Sequence, residues 1–352
     1  MYPMSLASER YGNTLTRKAW VYSSPGEPQN VLRLVNGFPG FRIEQLKPGD
    51  VIVDIEAVSI NPVDYKLMRT YQLVHKAMQK PPVIPGFDFA GKVVSTGPSV
   101  TGLKAGDRVW GKQSLSLQKN RGGTLTNQIC SNVKCLHIIP DSINFNDAAA
   151  FGTAGVTAWE GLVEHMKIKP GQKVVIVGAS GGVGTFAIQI AKALGAEVTS
   201  ISSTKNIQLC KSLGAFHTID YKSEDVVAKL AETGPYDFVF DLINDNGLYR
   251  ASSKFMKREG SFFGIASDIS LSYIGSVMSR KMRPKIFGGS SNAYHDFLEQ
   301  ATPEAIKNFS NFVAKNKVET VIDSVYNFDH ALDAFERVAS HRSQGNVIVT
   351  VN

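Results

Sequence analysis

The sequence predicts an α/β chain of two domains, a β-rich N-terminal half followed by a doubly wound parallel sheet. Three observations carry this reading. The chain is 352 residues long, beyond the roughly 250–300 residues at which a single core stops growing. Residues 17–150 hold short apolar runs interrupted at brief intervals by turn residues, the pattern of a barrel or sandwich. Beyond residue 170, strand-like and helix-like segments alternate, as they do where crossover helices join parallel strands.

In chain order, residues 1–16 are expected to form a flexible tail. They carry Glu9, Arg10 and several Ser and Thr, with no apolar stretch of the kind that marks a secretory signal. In the β-rich domain, assigned to 17–150, Asp50–Val58 alternates apolar and polar residues, the period of a half-buried strand. Turns are expected at Lys47-Pro48-Gly49, Asn61-Pro62, Pro85-Gly86, Gly97-Pro98 and Lys104–Asp107. Asp147 is placed to cap a helix over Ala148–Ala150, and an apolar helix is expected at 156–166.

The second domain, assigned to 151–319, reads as strands at 173–178, 197–202, 216–220, 236–242 and 261–265. Helices are expected at 183–194, 206–213, 224–232 and up to about Met256, with another at 306–314. A strand at 321–328, a helix at 332–339 and a strand at 345–351 close the chain. This last part, about 320–352, is expected to return to the first domain.

Composition narrows the function classes. Hydrophobic residues make up 43% and charged residues 20%, as in a globular protein, and no run of about 18 apolar residues suits a membrane span. The 3 cysteines, Cys130, Cys135 and Cys210, are too few for a disulfide framework, and reduced thiols are expected. The net charge of +7 comes from scattered cations with no zinc finger or RNA-reading motif. It reads as a solvated basic face that favours an anionic cofactor, not nucleic acid. A cytoplasmic location is expected from absent signals, with mitochondrial or lipid-droplet association as alternatives. Residues 269–285 combine Leu271, Ile274, Val277 and Met278 with Arg280, Lys281, Arg283 and Lys285. A dimer or substrate-cleft helix is the preferred reading, and contact with a lipid surface the other.

The sharpest chemistry lies in the turn Gly178-Ala179-Ser180-Gly181-Gly182-Val183-Gly184. Its glycines permit a tight turn and a close approach of pyrophosphate to the main chain. The helix that follows points free N–H groups at the phosphates. The turn follows a strand and opens a helix, the context a dinucleotide site requires. NAD sites place an acid about 20 residues further on for the ribose hydroxyls. Here Ser200–Lys205 contains none. Hydroxyls and Lys205 suit a 2′-phosphate, so NADPH is the expected cofactor.

Several segments together resemble the zinc-independent branch of the medium-chain dehydrogenase/reductases, the quinone oxidoreductase and enoyl reductase type. They are Val58–Lys66, Pro85–Gly91, Gly106–Val109, Gly155–Trp159 and Val177–Gly184, in the family's order. Gly122–Thr126 and Ile322–Phe328 look most like a Yim-type fungal branch. The resemblance implies a GroES-like β-barrel domain completed by the C-terminal segment, a Rossmann domain, a cleft active site, and a homodimer or a monomer. Zinc members carry Cys where this chain has Asn61, and Gly-His-Glu where it has Gly86-Phe87-Asp88. Metal is therefore not expected. Without a Lewis acid, reduction of quinones or α,β-unsaturated carbonyls is the expected chemistry. The alternatives are an enoyl-thioester reductase of lipid or polyketide synthesis, or a non-catalytic NADPH-binding protein at a lipid surface or in stress.

The resemblance also assigns residues. Asn61 matches a cleft asparagine whose amide could bond a carbonyl or the nicotinamide amide; its other reading is a cap of the Asn61-Pro62 turn. Tyr71 lies near a proton-donating tyrosine of enoyl reductases. Asp64 is read as structural. Thr157 resembles a nicotinamide-side threonine. Ser203, Lys205, Tyr221 and Arg342, with His341 as the alternative to Arg342 in register, are candidates for the 2′-phosphate, and Asn244 for the cofactor cleft. The 7 histidines form no metal spacing, and His137 is read as a satisfied buried histidine.

Overall fold

The computed structural model of the chain describes residues 16–69, 81–114, 118, 122–265 and 291–351. The expected tail up to residue 15, Tyr71 and the basic segment 269–285 lie outside the described residues. The chain forms two compact units. The first takes in described residues up to Thr153, with Ile306–Ser310 and the chain from Ile322 onward; the second takes in Ala154–Ala305 and Asn311–Val321. Among the described residues no helix is long and apolar enough to cross a membrane.

The first unit begins with β1 (Thr16–Val21), β2 (Arg33–Pro39), β3 (Asp50–Ile60), β4 (Asp88–Thr96), β5 (Arg108–Lys112), β6 (Gln128–Asn132) and β7 (Leu136–Ile138). The second holds β8 (Lys173–Val177), β9 (Glu197–Ser202), β10 (His217–Asp220), β11 (Tyr236–Asp241), β12 (Met256–Ile265) and β13 (Ala293–Phe297). The chain then returns with β14 (Ile322–Asn327) and β15 (Asn346–Thr350).

β3 organises the first unit. It pairs antiparallel with β4 through Val51–Ser59, with β6 through Asp50–Asp54 and with β15 through Ala57–Ile60. The tail thus finds its hydrogen bonds in the N-terminal sheet, and β14 adds parallel to β15. β3 is not the half-buried strand its alternation predicts. Only Asp54 and Glu56 are partly exposed, because strands line both edges and the helix Phe145–Ala149 packs on β3 and β4. That helix is capped by Asn144, not Asp147: Asn144 Oδ1 accepts the Asp147 amide at 2.9 Å. Asn144 has the extended backbone a cap needs, whereas Asp147 already lies inside the first turn. Phe328, Phe335 and Val338 from the C-terminal helix region enter the same core as Trp20, Val53 and Val58.

In the second unit the strands are parallel, in the order β10-β9-β8-β11-β12-β13. Numbered within the unit this is the doubly wound order 3-2-1-4-5-6. The order reverses between β8 and β11, and ligands of such sheets bind at the carboxyl ends there. One expected element is corrected. The helix before β12 ends at Ala251, and Met256 already belongs to the strand. The pair Tyr236↔Met256 starts the β11–β12 ladder, and satisfying that backbone outweighs continuing the helix. The expected helix at 156–166 is part of a longer helical stretch, Phe151–His165, wound as π, α and π segments.

Close backbone contact within the first sheet is testable. A Cβ on Gly91 of β4 would sit 2.0 Å from the Asp54 carbonyl oxygen, which is part of the chain and cannot rotate away. Gly91→Ala is expected to cost about 2–3 kcal/mol in urea unfolding. An unchanged midpoint and slope would show that β3 and β4 do not approach this tightly.

Candidate functional site

The glycine turn lies at the switch point of the parallel sheet. Gly178 has φ +74°, the left-handed region that glycine enters without strain. A Cβ at Gly184 would lie 2.6 Å from backbone atoms of Gly178 and Ala179, so the first helical turn rests on the end of β8. Gly181 differs, since a Cβ there would meet only the Gly178 oxygen at 3.4 Å. Its outer side is open to a ligand. The helix Gly182–Ala193 starts with Gly181 as N-cap and no side-chain cap. Its leading N–H groups thus remain for another acceptor, with the positive end of the helix dipole behind them. Ala179 N–H is not among the available donors, because it bonds the Ile201 oxygen at 3.2 Å. Ser180 Oγ receives Nδ2 of Asn206 at 2.6 Å.

The carboxyl ends of β9 and β10 bring the next candidates together. Tyr221 N–H bonds the Ser202 oxygen at 3.2 Å, which seats Tyr221 beside Ser203. Ser203 is only 9% exposed, and its hydroxyl has no partner among the described residues. Lys205 is exposed and makes no ion pair among them, and Tyr221 is 55% exposed. Sequence reading missed one acid here. Asp220, at the end of β10, reaches Thr204, whose hydroxyl bonds its Oδ2 at 2.5 Å. The Ser223 hydroxyl and the Lys222 amide donate to the same carboxylate. These donors, the Thr204 hydroxyl first, hold its pKa below the usual range. Asp220 is thus spent within the protein. Its position on the third strand of the alternation, not the second, hid it from the search for a ribose acid.

Asn244 follows β11 in the left-handed region, φ +61°, and donates to the Ile265 oxygen at 3.1 Å. Its neighbour Ile243 stands over Gly178. Thr157 is buried in a helical turn that packs on helix Gly182–Ala193. Arg342 belongs to the first unit, where its carbonyl accepts from Arg337.

The first unit contains a separate buried polar cluster. Asn61 Nδ2 donates to Asp88 Oδ2 at 2.8 Å and to the Ser59 oxygen at 3.3 Å. Thr153 gives Asp88 its amide at 2.8 Å and its hydroxyl at 2.9 Å. Lys112 Nζ bonds the Thr153 hydroxyl at 3.1 Å. Gly152 is required beside Asp88, since a Cβ there would lie 2.2 Å from Oδ1. The Ser59 carbonyl can only accept, so the Asn61 carboxamide is oriented with nitrogen inward. Its Oδ1 takes no donor from the described residues. Of the two partners expected for Asn61, a carbonyl is thereby disfavoured and a donor such as an amide N–H fits. The cap of the Asn61-Pro62 turn comes from Asp64, whose Oδ2 accepts the Asn61 amide at 2.6 Å. His137 is not satisfied as expected. Its Nε2 is buried without a partner among the described residues, it packs on Trp110, and burial, aided by Lys307, pushes it down to about 4.

A parallel sheet of this order with a glycine turn at its reversal is the architecture of a dinucleotide-binding domain. Residues 47–177 match the family profile described as alcohol dehydrogenase GroES-like domain, and residues 213–349 that of zinc-binding dehydrogenase. A zinc-type alcohol dehydrogenase-like protein of Schizosaccharomyces pombe is 52% identical over 344 residues, 98% of this chain and 99% of that one. A trans-enoyl reductase of Aspergillus terreus is 32% identical, covering 96% and 97%. An NADPH-dependent alkenal/one oxidoreductase of Arabidopsis thaliana is 30% identical, covering 94% and 79%. The solved quinone oxidoreductase of Coxiella burnetii aligns with a TM-score of 0.79 at 25% identity, over 96% of this chain and 99% of that chain. The chain belongs to the medium-chain dehydrogenase/reductase superfamily, in its quinone oxidoreductase and enoyl reductase-like group. It is an oxidoreductase that uses a nicotinamide cofactor.

Zinc, which the second profile's description raises, does not fit the residues at 61, 87 and 88. Asn61 turns an amide nitrogen inward, Phe87 is apolar, and both oxygens of Asp88 are engaged by N–H and O–H donors. A catalytic zinc needs thiolate, imidazole or free carboxylate ligands.

Burial pushes the Asp64 carboxyl up to about 8, with Asp88 adding to the rise and the Asn61 amide and Lys112 opposing it. An acid whose pKa is higher folded than unfolded holds its proton more firmly in the folded state. Asp64 therefore contributes stability fully only below about pH 4, and loses it as pH rises through about 8. Asp64→Asn keeps an oxygen for the Asn61 amide but cannot ionise. Its thermal midpoint is expected to fall less between pH 5 and pH 8.5 than that of the unaltered chain. Parallel curves would sink this assignment.

Proposed function

We propose that this oxidoreductase uses NADPH to reduce quinones or α,β-unsaturated carbonyl compounds. The observation that carries the cofactor choice is the set Ser203, Lys205 and Tyr221 at the ends of β9 and β10. It offers two hydroxyls and a cation without partners among the described residues. A ribose 2′-phosphate brings extra negative charge and acceptor oxygens to such a set. Of the acids at the end of β10, Asp220 has its oxygens occupied by Thr204, Ser223 and Lys222, and Glu224 accepts the Asp220 amide at 2.7 Å. Gly178–Gly184 would hold the pyrophosphate on open backbone at Gly181 and on the leading N–H groups of the helix, and Asn244 and Thr157 are the candidates for the nicotinamide side. Bound NADPH supplies the hydride.

The substrate class rests on chemistry and on relatives. With Asn61, Phe87 and Asp88 where zinc ligands would stand, no Lewis acid is provided to steady an alkoxide. An enone or quinone needs less help, because its own conjugated carbonyl delocalises the incoming charge. The names of the alkenal/one oxidoreductase, the trans-enoyl reductase and the quinone oxidoreductase point the same way. Asn61 would act through its Oδ1, as an acceptor for the nicotinamide amide. Tyr71 is the candidate proton donor, and Arg342 a further candidate for the 2′-phosphate.

The test is steady-state kinetics with NADPH and NADH over a panel of quinones, enones and enoyl thioesters. kcat/KM is expected to favour NADPH. Lys205→Ala should cut the NADPH value about tenfold, the scale of one charge-assisted bond, and leave the NADH value within about twofold. A preference for NADH in the unaltered chain would overturn the cofactor assignment. Turnover of thioesters alone would replace quinones and enones as the substrate class.

A further inference from the structure

We propose that Asn206 is a positioning residue for the dinucleotide pyrophosphate, acting through Ser180, and that it ties the pyrophosphate turn to the turn that faces the 2′-phosphate. This rests on the cofactor reading above and adds a residue to it. Asn206 has no place in the glycine motif and lies 6% exposed at the end of the short Thr204–Asn206 turn.

The reasoning begins with the hydroxyl of Ser180. Asn206 Nδ2 donates to Ser180 Oγ at 2.6 Å. A serine hydroxyl has one proton to give. Because its oxygen is receiving the amide, that proton points elsewhere, and no acceptor for it exists among the described residues. Ser180 stands between Gly178 and the N-cap Gly181, directly before the residues whose uncapped amides open the helix. The outcome is a held O–H donor beside a set of N–H donors, with no acceptor among the described residues to receive it. A phosphoryl oxygen completes such a set.

The backbone of Asn206 makes the second link. Its N–H bonds the Ser203 oxygen at 2.8 Å, closing the turn that carries Ser203 and Lys205. Thr204 in the same turn is fixed to Asp220, and Tyr221 follows Asp220 directly. One residue thereby joins the first strand–helix turn to the ends of the second and third strands. The polarity of the Asn206 amide matters more than its bulk. A carboxylate of the same shape would accept the Ser180 proton instead of donating, and would set a negative charge beside the pyrophosphate.

The experiment measures NADPH and NADH affinity by fluorescence titration of the full chain without substrate, with thermal midpoints recorded for every variant. Ser180→Ala and Asn206→Ala are each expected to weaken both nucleotides about tenfold. The double variant should be no weaker than either single one, because both remove the same donor. Asn206→Asp, unchanged in shape, should be weaker than Asn206→Ala. Additive losses in the double variant would overturn the proposal. So would a Ser180→Ala chain that binds both nucleotides normally, a result that does not depend on whether Asn206 variants fold. If the unaltered chain binds neither nucleotide, the cofactor reading itself fails, and that failure is visible before any variant is made.

Discussion

The seating of one helix on the end of one strand governs the chemistry of the second unit. Helix Gly182–Ala193 approaches β8 so closely that Gly184 has no room for a Cβ against the Gly178 and Ala179 backbone. That contact sets where the uncapped N–H groups of the helix stand and keeps Gly181 open on its outer side. It also places the turn at the point where the sheet order reverses, with β9 on one side and β11 on the other. Ser180 follows this strand, Ser203 and Lys205 follow its neighbour β9, Asn244 follows its other neighbour β11, and Tyr221 follows β10, one strand further out. Charged ligands bind such a place because preoriented donors replace water without reorganising.

The first unit handles burial of charge differently. Asp88 and Asp64 lie in the interior, where burial raises both carboxyls. Asp88 is surrounded by Asn61, Thr153 and, through Thr153, Lys112. Each of these can be read as repayment of the cost of removing a carboxylate from water. One result is orientational: the carboxamide of Asn61 is turned by Asp88 and Ser59, and its Oδ1 takes no donor from the described residues. The same position in a zinc enzyme would need a thiolate, so the network and the metal are alternative solutions at one place in the fold.

Much of the fold was legible in the residues. The alternation beyond residue 170 located most strands and helices of the parallel sheet, since each period reports which face is buried. Misreadings occurred where a tertiary neighbour outweighed the local pattern. β3 alternates yet is buried on nearly its whole length, because β4, β6 and β15 flank it. Asp147 looks like a cap, yet Asn144 has the extended backbone. Residues around Met256 look helical, yet pair with Tyr236. His137 reads as satisfied, yet its Nε2 lies buried without a partner among the described residues.

The sequence by itself determined the glycine turn, the acid-free stretch that follows β9, and the residues standing where zinc ligands would be. These are properties of residue type, and geometry cannot add or remove a carboxylate or a thiol. Tertiary structure decided which groups are spent and which remain available. Asp220 is absorbed by Thr204, Ser223 and Lys222, while the Ser203 hydroxyl and the Lys205 ammonium stay unpartnered among the described residues. Asn61 has its amide nitrogen fixed by Ser59 and Asp88, and Asn206 is brought to Ser180 across 26 positions of chain. Hydrogen-bond partnership depends on distances of about 3 Å between segments far apart in sequence, and only the folded chain sets them.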